Sequence, residues 1–494
     1  MTEDSHDAAI SDSEERRKTL SLSRREAAGS ALTTATSDNF LNAFAVHLNA
    51  SALQLGTLAA IPQLAGAVFQ FLSLPLDQLA PRRRLVVVAA VLQGIAVASM
   101  SALALGWLPQ SVALLMLLIA FNHATLNLSQ PHWRAWLGRL VPRSVRSSFF
   151  ADRSRLVMLM SIVIFVGGGS LLSASAKIGI VGVGFAVLFG TASAGRLYAA
   201  HAISRMRDPD GMPAATTAMS GTLGRIGEAL RDPVFRNYTL FVAGLHGAVA
   251  ITAPFFVAYM LRDLHFTYLE FAINSVTSIG TQFLMMKFWG RIGDRFGNLV
   301  IMRVTSAMIP IVPFLWLITP NYAFLLFAQV IAGIAWSGFS LSAANYLYDI
   351  RPHHTDFATY AAVQAGIAAI FVCIGALAGG TVAQYVVGFM QHLPEPIASA
   401  PGAFAVFVLG GTLRIAVVGY FSPRMVEPHV RTHPKLMEIV FRVANINAVS
   451  GVVLDWLTIG RKDRGQLPSS TAARPHVPVE PADDARGVVD HPRE

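Results

Sequence analysis

Long stretches of this chain carry no charged side chain, and the places where they break give the first outline of its structure. No Asp, Glu, Lys or Arg occurs from Asn39 to Leu76, Leu85 to Trp133, Val304 to Tyr348 or Phe357 to Pro394. One crossing of a bilayer takes about 20 apolar residues, so each run is long enough for two crossings or one and a half. Turn-forming clusters divide them: LNAS near 48, GWLPQ at 106–110 and TPNY at 319–322. The pattern predicts twelve helices, near 27–48, 53–76, 85–106, 111–133, 155–174, 179–203, 238–261, 268–289, 299–318, 322–348, 358–386 and 403–422.

Composition agrees with that outline. Of 494 residues, 53% are hydrophobic and only 14% charged, with mean hydropathy +0.51, which lies on the membrane side of globular usage. The net charge of +9 gains a meaning from its placement. Arg82, Arg83 and Arg84 follow the second span, Arg139, Arg143 and Arg146 the fourth, Arg291 and Arg295 the eighth, and Arg351 the tenth. The alternate loops hold little beyond Lys177 and Arg262. This is the positive-inside asymmetry, which places both termini in the cytoplasm and makes nucleic acid an unneeded partner.

The chain outside the spans is read by composition. Residues 1–26 are polar and lack the apolar core of a cleaved signal peptide, so they are expected to be a disordered cytoplasmic N-terminus, with the first span serving for insertion. Residues 205–236 read as a polar cytoplasmic linker, 423–461 as an amphipathic segment on the membrane surface, and 462–494 as a disordered cytoplasmic tail rich in Pro, Ser and charge. The single Cys373 lies inside a span, where it makes no intrachain disulfide.

The spans also repeat. Shifting the chain by 210 residues lays WLGRLVPRSVRSSFFA over YLYDIRPHHTDFATYA, so that Pro142 meets Pro352, Phe150 meets Tyr360 and Ala151 meets Ala361. Asp77 after the second span has its counterpart in Asp294 after the eighth. The expected architecture is an all-α integral membrane protein of two pseudo-symmetric six-helix bundles, residues 27–204 and 237–422.

The loop GRIGDRFGN, residues 290–298, resembles the signature loop of the major facilitator superfamily (MFS). Gly290, Asp294, Arg295 and Gly297 match its pattern, whereas Asn298 and Leu299 depart from it. LDQLAPRRR resembles a degenerate first-half copy that keeps Asp77, and VFRNYTLF, PFFVAYML and WRAWLGRLVPRSVRSSFFADR resemble bacterial members without an assigned substrate. The resemblance implies a transporter with a conformational latch at this loop, formed by Asp77, Gly290, Asp294, Arg295 and Gly297. The residues themselves suit such a part: glycines allow a tight turn, and an Asp accepts bonds from helix N–H groups or an Arg.

A polar side chain at bilayer depth needs a partner or a watery cavity. Asp38 falls near the middle of the first span, with Asn39 beside it and Asn42 four residues on, one turn away. The resemblance implies a central cavity lined by the first, fourth, seventh and tenth spans. Asn122, His123 and Asn127 stand in the fourth, His246 in the seventh, and Trp336 and Asn345 in the tenth; Gln364 on the eleventh is a further candidate. Asp38 is expected to carry a coupling proton or pair with a cationic group, with His246 as its partner. Arg196, His201, Arg303 and Arg414 are expected to snorkel toward the cytoplasmic interface, and Gly375 with Gly379 to allow close helix packing.

The functional expectation is a secondary active transporter of the bacterial inner membrane that moves a small organic solute by alternating access, with proton coupling. It works as a monomer in the lipid bilayer, without cofactor or metal, and is not an enzyme. A non-coupled facilitator, a multidrug efflux pump, and a sensor or scaffold with the same fold are the alternatives. The fourth span lacks the intramembrane Arg of proton-linked drug antiporters, IAFNHA standing there instead. No phosphate-binding loop of the G-x-x-x-x-G-K-[ST] type occurs in the chain.

Overall fold

The computed structural model describes residues 3–72, 81–141, 146–206, 229–350, 357–390 and 401–426, with the single positions Gly227, His392 and Pro394. Asp77, most of the expected linker, and the amphipathic segment and tail beyond 426 lie outside the described residues. The described residues cluster as one compact unit.

Every described element is a helix or turn. In chain order these are α1 (Glu3–Thr33), α2 (Asn39–His47), α3 (Ala52–Leu72), α4 (Arg82–Ala104), α5 (Val112–Leu140), α6 (Arg146–Lys177) and α7 (Val181–Ser204). There follow α8 (Pro233–Ala258), α9 (Tyr268–Phe296), α10 (Asn298–Met308), α11 (Ile311–Leu315), α12 (Tyr322–Ile350), α13 (Phe357–Met390) and α14 (Gly402–Phe421). Each of the twelve expected spans coincides with one helix or with two in succession, and nine of the described helices are long and apolar enough to cross a membrane. Two rods contain a π-turn: Thr34–Asp38 joins α1 to α2, and Tyr259–Asp263 extends α8.

Helix α1 begins at Glu3, and Thr19, Leu22, Ser23 and Glu26 are buried on its inner face. The polar residues there are held by tertiary contacts rather than by an apolar stripe: Arg153 of α6 donates to Glu26 at 2.6 Å.

Packing repeats between the halves. Helix α1 packs on α7 as α8 packs on α14, and α3 packs on α5 as α9 packs on α12. Local geometry repeats as well. The only described non-glycine residues at positive φ are Asn49 and His265, in the loops after the first and seventh spans. Directly after them Ser51 with Gln54, and Thr267 with Glu270, form matching N-terminal capping boxes.

The halves meet along two helix pairs, α3 with α13 and α6 with α9. Small residues make both contacts close. A Cβ added to Gly56 would stand 2.5 Å from the Ala376 carbonyl oxygen and 2.7 Å from Gly380 Cα. One added to Gly169 would stand 2.5 Å from Ala272 Cβ and 2.8 Å from the Tyr268 carbonyl oxygen. Two hydrogen bonds cross at the same end: Arg262 Nη2 to the Ala50 carbonyl at 2.6 Å, and the Leu269 N–H to Ser173 Oγ at 2.8 Å. Farther along α9 and α13, no described atom lies within 4 Å of a Cβ added to Gly280 or Gly366. The GALAG glycines pack within the second half, Gly375 on the Gly247 carbonyl and Gly379 on that of Ile251.

Candidate functional site

The expected midplane residues fall into separate environments. His246 lies on α8 with Nδ1 bonded to the Val242 carbonyl at 2.8 Å, one turn back on its own helix. Its ring sits 5.7 Å from that of Trp336 and 5.9 Å from that of Phe339, so α12 supplies an aromatic wall beside it. Asn345 is exposed toward the end of α12, and Gln364 is half-buried on α13. Asp38 ends the first π-turn, which packs against α6 and α7; its side chain lies outside the described residues. Asn39 Nδ2 donates to the Ala35 carbonyl at 2.9 Å and Asn127 Nδ2 to that of His123 at 2.8 Å, both local helix bonds. Asn42 and His123 are half-buried.

At the expected latch, Gly297 has φ +90° and ψ 161°, a conformation open to glycine, where it ends α9 and starts α10. Gly293 is also constrained, since an added Cβ would stand 3.2 Å from Ile301 Cδ1, whereas Gly290 has room. Arg295 is exposed, its guanidinium 5.2 Å over the Phe296 ring, and the Asp294 side chain lies outside the described residues. Asn298, a departure from the signature pattern, ties this corner to α12 through Nδ2 and Asp349 Oδ2 at 2.7 Å.

The reading of Arg196 and Arg414 as snorkelling side chains is corrected. They are 8% and 3% exposed and point into helix bundles rather than along them to an interface. Arg414 bonds Thr252 Oγ1 of α8, and Arg196 Nη1 donates to Ser30 Oγ at 2.8 Å. Arg303 reaches instead across to the end of α14, with bonds to the Ser422 and Met425 carbonyls. His201 is exposed, as an interfacial residue is.

Arg196 leads to a feature that sequence reading missed, a cavity of about 670 Å3 within the first half. Glu26, Ser30 and Thr33 of α1, Gln93 of α4, Asn122 and Trp133 of α5, Arg153 of α6 and Arg196 of α7 line it. Glu26 takes bonds from Arg153 at 2.6 Å and from Ser30 at 2.7 Å, and Arg153 lies 5.6 Å over the Trp133 ring. Among the described residues, Asn122 is the one expected site residue that borders this cavity. The signal in the sequence was Glu26 at the mouth of the first span together with Arg153 at that of the fifth, opposite charges more than a hundred residues apart.

No family model matches the sequence, and no curated sequence does. Solved structures do resemble the fold. A mutant of the nucleoside transporter NupG superposes with TM-score 0.64 at 13% identity, over 82% of this chain and 99% of that one. A bacterial homolog to the human lysosomal transporter Spinster, in an inward-facing and unoccupied conformation, gives 0.57 at 15% identity over 85% and 99%. A D-xylose-proton symporter gives 0.58 at 13% identity over 83% and 98%. Helix count, mirrored packing and these superpositions together give the chain the fold of the major facilitator superfamily, in an integral membrane protein built of two related six-helix halves.

Proposed function

We propose that the protein is a secondary active transporter of a small organic solute, working by alternating access. The observation that carries this reading is the asymmetric junction between the halves. They are pressed together by Gly56 and Gly169 at one end, while no described atom lies within 4 Å of a Cβ added to Gly280 or Gly366 farther along the partner helices. Small-residue seams without interdigitating side chains part at low cost, which suits two halves that rock about a central site. Solved transporters of a nucleoside, of D-xylose with protons, and of the Spinster type share the fold, which supports movement of a solute rather than its chemical conversion.

By the placement of arginines, the closed end is the external one and both termini lie in the cytoplasm, the membrane being the bacterial inner membrane. Asp38 carries the coupling proton or pairs with the solute. His246 serves as its partner from the second half, with Nδ1 held by the Val242 carbonyl and Nε2 as the nitrogen that exchanges the proton. The latch at 290–298 steadies one of the two states, with Asn298 and Asp349 as additional members.

The test is flux into proteoliposomes loaded with a pH-sensitive dye, with nucleosides, sugars, organic acids and cationic drugs added in turn to wild type and Asp38→Asn. Solute-dependent proton flux that the substitution abolishes is the expected result. Labelled solute that moves without proton flux would make the protein a facilitator, and no movement of any solute would leave the sensor or scaffold reading.

A further inference from the structure

We propose that Arg262 and Ser173 form the gate of the closed end, each half using one side chain to satisfy a backbone group at a helix terminus of the other. The gate rests on the two-state reading above and sets the balance between its states. Helix ends leave backbone groups without a partner in their own helix. Helix α2 ends in a Schellman turn, with Asn49 at φ +58°, its N–H bonded to the Val46 carbonyl at 3.0 Å and the Ala50 N–H to that of Ala45 at 2.9 Å. Ala50 is buried, and its own carbonyl, just past the turn, accepts from Arg262 Nη2 at 2.6 Å. Helix α9 starts with a capping box in which Thr267 and Glu270 satisfy each other's N–H groups. The Leu269 N–H falls outside that box and donates instead to Ser173 Oγ of α6 at 2.8 Å. Gly169, one turn before Ser173, makes the approach possible, since a Cβ added there would stand 3.3 Å from Leu269 Cα.

The repeat between the halves shows which residues are special to this end. A shift of 216 residues (265 − 49) lays Asn49 on His265, Ser51 on Thr267 and Gln54 on Glu270, so positive φ and capping box coincide in the two loops. The same shift lays Val46 on Arg262 and Ala50 on Phe266. Val46 is buried in the core, and the Phe266 ring packs edge-on against Tyr322 of its own half at 5.3 Å. The matched loops therefore differ at the two positions that make the Arg262 bond: a guanidinium stands where the repeat has an aliphatic side chain, and a methyl group where it has a ring. Turn and box are complete within each half without these residues, whereas the bond between the halves needs both. When the end opens, each group exchanges its protein partner for water, so both bonds weigh on the closed state.

The experiment is a pulsed electron paramagnetic resonance measurement on the full chain in lipid nanodiscs, with spin labels at Gln110 and Ile318 in a Cys373→Ala background. Ser173→Ala is expected to raise the ratio of longer-distance to shorter-distance population by about 2- to 10-fold, as loss of one neutral hydrogen bond does, and Arg262→Met by about tenfold or more, because its bond is charged. Gln54→Ala breaks the first-half box without touching either crossing bond and should keep wild-type distances. Wild-type distances in both Ser173→Ala and Arg262→Met would overturn the proposal, as would a Gln54→Ala shift as large as that of Arg262→Met, since loosening the loop would then suffice. Should Arg262→Met fail to fold, Ser173→Ala, which removes a single oxygen, carries the test alone. Solute flux measured on the same proteins separates the two readings: shifted distances without movement of any solute keep the gate and remove the transporter, and solute movement with unshifted distances does the reverse.

Discussion

Replacing Gly56 by Leu should drive the two halves apart at the end where they now touch. A bare Cβ at this position would lie 2.5 Å from the Ala376 carbonyl oxygen, and ordinary van der Waals contact begins at 3.4 Å, so even one carbon asks for 0.9 Å of separation (3.4 − 2.5). The obstacle on the other helix is backbone, which cannot swing aside. Overpacking of a close contact costs about 1–3 kcal/mol, which shifts a two-state equilibrium by about 5- to 150-fold. The cost falls on the state closed at this end alone, because once the seam opens the added side chain has room. Spin labels at exposed Gln110 and Ile318, in the loops before α5 and α12, report the distance across that end in a Cys373→Ala background. The expected result is a longer-distance population in Gly56→Leu, with a smaller shift for Gly56→Ala. Gly167→Leu serves as the control, since no described atom lies within 4 Å of its added Cβ. A Gly56→Leu protein with wild-type distances and wild-type flux would refute the idea that this seam is where the halves part.

Three further outcomes test other parts of the structure. Glu26→Gln removes the charge that the half-buried Arg153 bonds and that lies one hydroxyl from the buried Arg196, and should lower stability by more than the roughly 1 kcal/mol of a surface pair, toward about 3–5 kcal/mol, read as a fall in Tm. Gly297→Ala forces a side chain into a region reserved for glycine at a cost of about 1–3 kcal/mol, seen in thermal unfolding, while Gly290→Ala should be close to neutral. His246→Phe keeps the ring against Trp336 and loses the titrating nitrogen, so it should fold normally and lose proton-coupled flux; unchanged flux would make His246 a structural residue.

What the sequence disclosed follows from which interactions are local. The spans were legible because a charge-free run in a membrane chain has few folds open to it, and helix is the one that pairs its own backbone. Gly297 was legible because a glycine between two helices announces a backbone need. The helical N-terminus was hidden, since Glu26 owes its burial to Arg153, a residue 127 positions away. Depth along a span says nothing about facing, which is why Arg196 looked like an interfacial residue when it is turned inward. Asn298 was set aside as a departure from the signature, yet its partner Asp349 stands on α12, 51 positions on. Neither π-turn has a composition that distinguishes it from α-helix.

The first π-turn has a consequence for phase. An α-helix advances about 100° per residue, so one extra residue in the ladder rotates everything before it by about that much relative to everything after. Before the turn, Glu26, Ser30 and Thr33 look into the cavity; after it, Phe40 and Phe44 enter the aromatic core with Phe165 and Phe185. An unbroken helix could satisfy one of these alignments and not the other. Removal of a single residue between Thr34 and Asp38 would therefore unwind the offset, and Glu26 would swing away from Arg153 although no residue of the charge network had been touched.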